Sequence, residues 1–148
     1  MQYGLNSGGN KIQASFTGQR AMCPLCNTSL VAYCGEVYVN HWKHERYMAC
    51  DAWFEHETFW HREWKEHFPK EWREVIISGT EPFKEKHIAD IKTDKGLVIE
   101  FQNSSISTTE RRTREYFYES MIWVINAETF ADNFKLRSAV KSELRRLE

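Results

Sequence analysis

The stretch that decides the fold is Lys86 to Gln102, which reads KHIADIKTDKGLVIEFQ. It contains two strand-like runs, Lys86 to Lys92 and Leu97 to Gln102, on either side of the loop Asp94-Lys95-Gly96. In a hairpin with a three-residue loop, glycine is suited to the left-handed position next to the second strand. The stretch therefore predicts an antiparallel β-hairpin.

The register of this hairpin brings two acids together. If Thr93 pairs with Leu97, counting outward puts Asp90 opposite Glu100 on one face. Two carboxylates about 4 Å apart repel by about 4 kcal/mol at an effective dielectric constant near 20. A raised pKa, a nearby cation or contact with water can relieve this repulsion. A divalent cation held by the two carboxylates is one explanation, but the spacing alone favours a solvent-exposed hairpin face, where such polar residues are ordinary.

Weaker patterns around the hairpin predict a sheet flanked by helices. Glu74 to Ser78 and Met121 to Asn126 read as strands. A capping box, Ser107-Thr108-Thr109-Glu110, predicts the start of a helix at Ser107, and Phe130 to Leu147 reads as a charged amphipathic helix. From residue 55 onward the order is α-β-β-β-α-β-α, which indicates one α/β domain.

An aromatic segment precedes these strands, and Pro69 is expected to end any helix in it. At helical spacing its aromatic residues form one stripe, and Glu57 lies within that stripe. A carboxylate facing the core is costly unless it has a partner, so Glu57 requires a metal, a metal-bound water or a lysine. His61 and Lys65 follow Glu57 on the edge of the same face. The aromatic residues of the stripe are Trp53, Trp60, Trp64 and Phe68.

The four cysteines and two of the histidines precede residue 51. Cys23 and Cys26 form a C-x2-C knuckle, and His41 and His44 form an H-x2-H pair. With a hairpin predicted between Leu30 and Val39 and the histidine pair expected at the start of a helix, this order is typical of a treble-clef-like zinc site with Cys2His2 ligands. Two alternatives remain at this point: one histidine is replaced by another cysteine, or the cysteines are reduced and form a small apolar cluster. The cysteines that could replace a histidine are Cys34 and Cys50.

Composition limits the classes of function. The 148 residues carry 20 basic and 21 acidic side chains, so the net charge of −1 excludes a binder that relies on bulk positive charge. The longest apolar run, Met121 to Ile125, is too short to cross a membrane. The first residues lack the basic and apolar regions of a secretory signal. We therefore expect a cytoplasmic protein with no membrane partner.

Several segments together resemble one family. ETFWHREWK (57–65), HIADI (87–91) and VIEFQNSSIS (98–107), followed by Glu110, Arg114 and Tyr118, look like the nuclease domain of the competence protein CoiA-like family. That family belongs to the PD-(D/E)xK (restriction-endonuclease-like) superfamily. The resemblance extends from about residue 20 to residue 127. It implies a restriction-endonuclease-like core at 53–148, a zinc-binding subdomain at 21–52 and an N-terminal segment at 1–20.

The resemblance also implies roles for individual residues. Asp90 and Glu100 would bind catalytic Mg²⁺ or Mn²⁺, and Gln102 stands where the superfamily usually has lysine. Glu57 would be the acid of the first helix and His61 a further catalytic residue. The expected activity is hydrolysis of phosphodiester bonds in DNA, and Lys65 or Lys92 could supply the missing positive charge. The residues expected to contact substrate are Lys65, Ser104, Arg114 and Tyr118.

Two other functions remain open. A catalytically inactive nucleic-acid-binding module would keep the same fold, and Gln102 in place of lysine favours it. A zinc-dependent protein-interaction module does not explain why an acid lies in an apolar stripe. The sequence leaves open whether the chain forms a homodimer, and which form of DNA it would cut.

Overall fold

The structure is a computed structural model that describes residues 1–46, 50–80 and 84–128. In these residues the strands form two sheets, and the helices are α1 (Phe59–Glu66) and α2 (Thr108–Tyr118). The chain is therefore α/β, as the sequence predicts. The helix predicted from Phe130 to Leu147 lies outside the described residues.

The first sheet is antiparallel and has the order β2-β1-β3-β4-β5. Trp42, Leu30 and Cys23 are fully buried in its core. The predicted division at residues 20 and 21 falls inside β3, and residues 1–20 supply two strands of this same sheet. Its strands are β1 (Tyr3–Leu5), β2 (Lys11–Gln13), β3 (Arg20–Met22), β4 (Ser29–Tyr33) and β5 (His41–His44).

The second sheet has the order β6-β7-β8-β9. Its first three strands are antiparallel, and β9 runs parallel to β8 because α2 forms the crossover between them. The Ser107 side chain accepts a hydrogen bond from the Glu110 amide, which confirms the predicted cap of α2. The strands are β6 (Arg73–Ser78), β7 (Lys86–Lys92), β8 (Val98–Gln102) and β9 (Met121–Ile125).

The β7–β8 hairpin has the predicted register. Ile91 pairs with Ile99 and Lys92 with Val98, so continuing the count places Asp90 opposite Glu100. Gly96 has a φ of 82°, the left-handed conformation that the loop required.

The first helix begins later than the predicted stripe, which includes Trp53 and Glu57, requires. Thr58 is extended, with a φ of −114° and a ψ of 169°, and its side chain accepts a hydrogen bond from the His61 amide. This N-cap starts α1 at Phe59, so Trp53 and Glu57 precede the helix. Trp53 instead stacks on His87, with ring centroids 3.3 Å apart.

No helix among the described residues is long and apolar enough to cross a membrane.

Candidate active site and metal cluster

Three neighbouring strands of the second sheet each contribute an acid at the same level. Glu74 lies between the paired residues Arg73 and Val75, whose partners Ile91 and Ala89 flank Asp90. Glu100 lies opposite Asp90 on the next strand. Glu74 has a φ of 46°, an uncommon conformation for a residue with a side chain. One acid of this row, Glu74, therefore lies where the backbone of β6 departs from regular strand geometry.

The two hairpin carboxylates take the place of backbone groups in the ladder. The Asp90 amide donates to Glu100 Oε1 at 3.1 Å, and the Phe101 amide donates to Asp90 Oδ2 at 3.0 Å. Each acid thus accepts an N–H group from the opposite strand. These reciprocal hydrogen bonds hold the carboxylates side by side where the paired ladder ends.

Four acids, Glu57, Glu74, Asp90 and Glu100, form what we call the acidic cluster, and Lys65 lies among them. Its Nζ is 2.9 Å from Asp90 Oδ1, 3.1 Å from Glu57 Oε2 and 3.3 Å from Glu74 Oε1, and its side chain is only 4% exposed. Burial alone would lower the pKa of Lys65, but these carboxylates raise it well above the ordinary value. An ammonium group has three N–H donors, so these contacts engage all of them. Lys65 is a fixed positive charge that holds the acids together.

Glu57 is ion-paired rather than unpartnered. Besides Lys65, it lies 3.4 Å from Arg62 Nε. Burial is the largest influence on the pKa of Glu57 and acts to raise it, but the positive charges of Lys65, the N-terminus and Arg62 together lower the pKa below its ordinary value. Among the alternatives left by the sequence, the structure gives Glu57 a lysine partner.

Glu100 forms an ion pair with Arg114, a residue of α2. Arg114 donates from Nη1 to Glu100 Oε2 at 3.2 Å and from Nη2 to the Trp53 carbonyl at 2.9 Å. Burial, reinforced by the charge of Asp90, nevertheless raises the pKa of Glu100 to about 8. The hairpin pair therefore relieves its repulsion partly through a raised pKa and partly through the cations Lys65 and Arg114.

These groups line a cavity of about 420 Å³. Asp90, Glu100, Glu57, His61, Lys65 and Arg114 all border it, so the structure brings these predicted residues to one place. Both ring nitrogens of His61 are engaged: Nε2 lies 3.0 Å from the Phe101 carbonyl oxygen, and Nδ1 lies 2.8 Å from the Thr58 hydroxyl oxygen.

The remaining predicted residues lie elsewhere. The Gln102 amide donates to the Ser104 carbonyl at 3.1 Å, and Ser104 is exposed on the following loop. Tyr118 is buried against Trp53 in the core below α2. Among the described residues, the cavity lining includes none of these three.

A cluster of candidate metal ligands consists of Cys23, Cys26, His44 and Cys50. Their ligand atoms all lie within 4.8 Å of one another, which is close enough to bind a metal such as zinc. A tetrahedral zinc site has edges of about 3.8 Å between sulfurs and about 3.6 Å between sulfur and nitrogen. The separation of Cys23 Sγ and Cys50 Sγ is 3.8 Å, and that of Cys26 Sγ and His44 Nε2 is 3.4 Å. Burial raises the pKa of Cys23 and of Cys50, and a bound cation would relieve that effect.

The prediction that His41 belongs to the cluster is wrong. The H-x2-H pair lies on β5 rather than at the start of a helix, and residues three apart on a strand face opposite sides. His41 Nδ1 instead lies 2.8 Å from the Val39 carbonyl oxygen, and its ring stacks on Tyr33. Cys50, one of the two alternatives, is the fourth member of the cluster.

Asp51 connects this cluster to the acidic one. Its carboxylate accepts hydrogen bonds from the Ile88 amide at 2.9 Å and from the Trp53 amide at 3.0 Å, and it lies 2.8 Å from His87 Nδ1. Asp51, the residue after Cys50, is therefore bonded to β7, the strand that carries Asp90.

Sequence reasoning did not identify Asp51, Glu74 or Glu55. Glu74 accepts hydrogen bonds from the amides of Gln2 and Tyr3, more than 70 residues away, at 2.7 and 3.0 Å. Glu55 Oε2 lies 3.5 Å from His61 Nε2. The positive φ of Glu74 could not be predicted, because Glu74 to Ser78 reads as an ordinary strand in the sequence.

Comparison with protein-family models, with curated proteins and with solved structures finds no match. The family resemblance therefore rests on the residues quoted above.

Proposed function

We propose that this chain is a nuclease that hydrolyses phosphodiester bonds in DNA, built on a restriction-endonuclease-like core. The observation that carries the proposal is the pairing of Asp90 and Glu100 across the β7–β8 hairpin, beside Lys65, in the lining of one cavity. Two acids and a lysine around a hairpin are the groups that the resemblance leads us to seek. Here the lysine comes from α1 and not from position 102.

The donor chemistry fits the divalent ion that this family implies. Asp90 and Glu100 offer hard carboxylate oxygens, the ligands that Mg²⁺ and Mn²⁺ take. Each oxygen already accepts one hydrogen bond or ion pair, but a carboxylate has about four lone-pair positions, so capacity remains. When bound there, the ion would lower the pKa of a water and neutralise charge on a phosphate.

The protein groups have distinct tasks in this proposal. Asp90 and Glu100 hold the ion, while Lys65 keeps Asp90, Glu57 and Glu74 together in one place. Arg114 orients Glu100 and lies on the cavity lining, where a phosphate oxygen would gain a positively charged partner. Gln102 fixes the loop at Ser104, so its contribution is to position the end of β8.

The cysteine cluster supports a second, structural metal. We propose that Cys23, Cys26, His44 and Cys50 bind one Zn²⁺. Four protein ligands fill a tetrahedral shell and leave no open position, so this ion stabilises the fold and takes no part in catalysis.

An inactive DNA-binding module is the second candidate. One observation favours it: the oxygens of Asp90 and Glu100 are engaged by Lys65, Arg114 and two backbone amides. These partners balance the acids without any metal.

One experiment separates the two candidates. Labelled single-stranded, duplex and branched DNA is incubated with the zinc-loaded protein, with and without Mn²⁺, while binding is followed by fluorescence anisotropy. The nuclease proposal predicts fragments that depend on Mn²⁺. Binding without fragments on every substrate would support the inactive module instead.

A further inference from the structure

We infer that the nuclease site takes single-stranded DNA, with one unpaired nucleotide lying inside the cavity beside Asp90 and Glu100. This inference rests on the proposed function and specifies the substrate of the same site. Three observations support it: the low solvent exposure of the two acids, the volume of the cavity, and the aromatic and charged residues that line it.

The acids lie deep. The side chain of Glu100 is 7% exposed and that of Asp90 is 20% exposed, so a phosphate must enter the cavity to approach them. A duplex carries its phosphates on the outside of a paired helix whose grooves alone are about 6 to 12 Å wide. A space of 420 Å³ does not admit such a cross-section. An unpaired nucleotide is comparable to the small ligands that occupy cavities of about 300 to 1,000 Å³.

The walls give a base apolar surface, and they hold basic side chains as well as acids. Trp53, Phe54, Phe101 and Ile88 give the cavity apolar surface, while Lys43 and Arg114 bring positive charge to the same lining. Phe54 is 51% exposed, unlike the buried Phe101. An exposed aromatic ring at a cavity is a stacking platform for any base, since every base has a flat π face. We therefore assign Phe54 as the base-stacking residue.

The test compares Phe54→Ala with a matched control. Phe16→Ala removes another exposed phenylalanine ring, 61% exposed, from the segment between β2 and β3, outside the cavity lining. Wild type and both variants are given Mn²⁺ and three labelled DNAs: a single strand, a blunt duplex of the same sequence and a duplex with a single-stranded tail. Zinc content and thermal unfolding are recorded for each variant.

The inference predicts cleavage of the single strand and within the tail, with the blunt duplex left intact. Loss of one stacking contact, worth about 1 to 3 kcal/mol, lowers kcat/KM on the single strand about 5- to 150-fold in Phe54→Ala. Phe16→Ala cleaves like wild type. Cleavage of the blunt duplex as fast as the single strand, or equal activity of the two variants, overturns the inference.

A binding arm keeps this test separate from the proposed function. Anisotropy of a labelled oligothymidine is measured without Mn²⁺, in competition with the blunt duplex. If no DNA is cut, the nuclease proposal fails. Preferential single-strand binding that weakens only in Phe54→Ala still supports the cavity assignment, whereas equal affinity for single strand and duplex overturns it.

Discussion

Lys65 is the residue on which the acidic cluster depends. Its ammonium group is buried among Glu57, Glu74 and Asp90 at 2.9 to 3.3 Å. Removing one partner from a buried ion pair leaves the other charge without compensation in a medium where it is poorly solvated. The stability of the fold and the position of Asp90 therefore both depend on the Lys65 side chain.

We predict that Lys65→Met lowers the free energy of unfolding by about 3 to 5 kcal/mol. Lys95→Met, in the exposed β7–β8 loop, is the matched control and changes stability by less than about 0.5 kcal/mol. Urea unfolding followed by tryptophan fluorescence measures both. Equal stability of the two variants would show that the buried ion cluster does not form.

Glu100 makes stability depend on pH. Its pKa rises from the ordinary 4.5 to about 8 in the fold, because of burial first and Asp90 second. Between these values the folded chain holds a proton that the unfolded chain has released. The contribution of Glu100 to the free energy of unfolding therefore falls as pH rises from about 4.5 to about 8, and that contribution is largest below this window.

Glu100→Gln should remove this decline. In buffer without added Mg²⁺ or Mn²⁺, we predict that the variant gains stability over wild type as the pH is raised from about 5 to about 8. Glu119→Gln, at the exposed end of α2, serves as the control. Urea unfolding at the two pH values measures the change. A difference between Glu100→Gln and wild type that is the same at both values would contradict the raised pKa.

At the scale of elements, Asp51 joins the segment after Cys50 to β7. Its carboxylate accepts N–H groups from Ile88 and Trp53, so Asp51→Ala removes charge-assisted hydrogen bonds from a half-buried site. We predict a loss of about 2 to 4 kcal/mol in stability and slower cleavage, with zinc content unchanged because the ligands stay. Asp94→Ala, in the exposed hairpin loop, is the control. Wild-type stability in Asp51→Ala would exclude this link.

Local rules explain which elements the sequence could predict. The hairpin register follows from loop length and Gly96, and the cap of α2 follows from Ser107 and Glu110. Aromatic periodicity misplaced the start of α1, because the Thr58 cap decides where the helix begins. His41 was misassigned because the H-x2-H spacing was interpreted on a helix, whereas the residues form a strand.

Long-range contacts explain what the sequence could not predict. Glu74 joins the site through β1, more than 70 residues earlier in the chain. Lys65 was predicted near the site, but its contacts with Glu57, Glu74 and Asp90 depend on how α1 packs against the second sheet. Neither spacing nor composition specifies that packing.

At the scale of the whole molecule, the cysteine cluster and the acidic cluster border one cavity. His44 and Cys50 belong to its lining, and so do Asp90 and Glu100. A metal held by Cys23, Cys26, His44 and Cys50 would therefore stabilise one wall of the cavity.

We predict about one equivalent of zinc in the purified, untagged protein. His44→Ala and Cys50→Ser lose it and unfold more readily, since metal binding is coupled to folding. His41→Ala and Cys34→Ser keep it, because neither residue lies in the cluster. Elemental analysis measures the zinc. Loss of zinc from His41→Ala with retention by Cys50→Ser would reverse the ligand assignment.

The central claim is that Asp90 and Glu100 form a metal-dependent nuclease site. Its most direct test is the rate of Mn²⁺-dependent cleavage of labelled single-stranded DNA by Asp90→Asn and Glu100→Gln, with Asp94→Asn as the control and circular dichroism as the check on folding. We predict a loss of at least about a hundredfold in the first two variants, with folded spectra and wild-type activity in the control. Cleavage by folded Asp90→Asn and Glu100→Gln at the wild-type rate would contradict the claim.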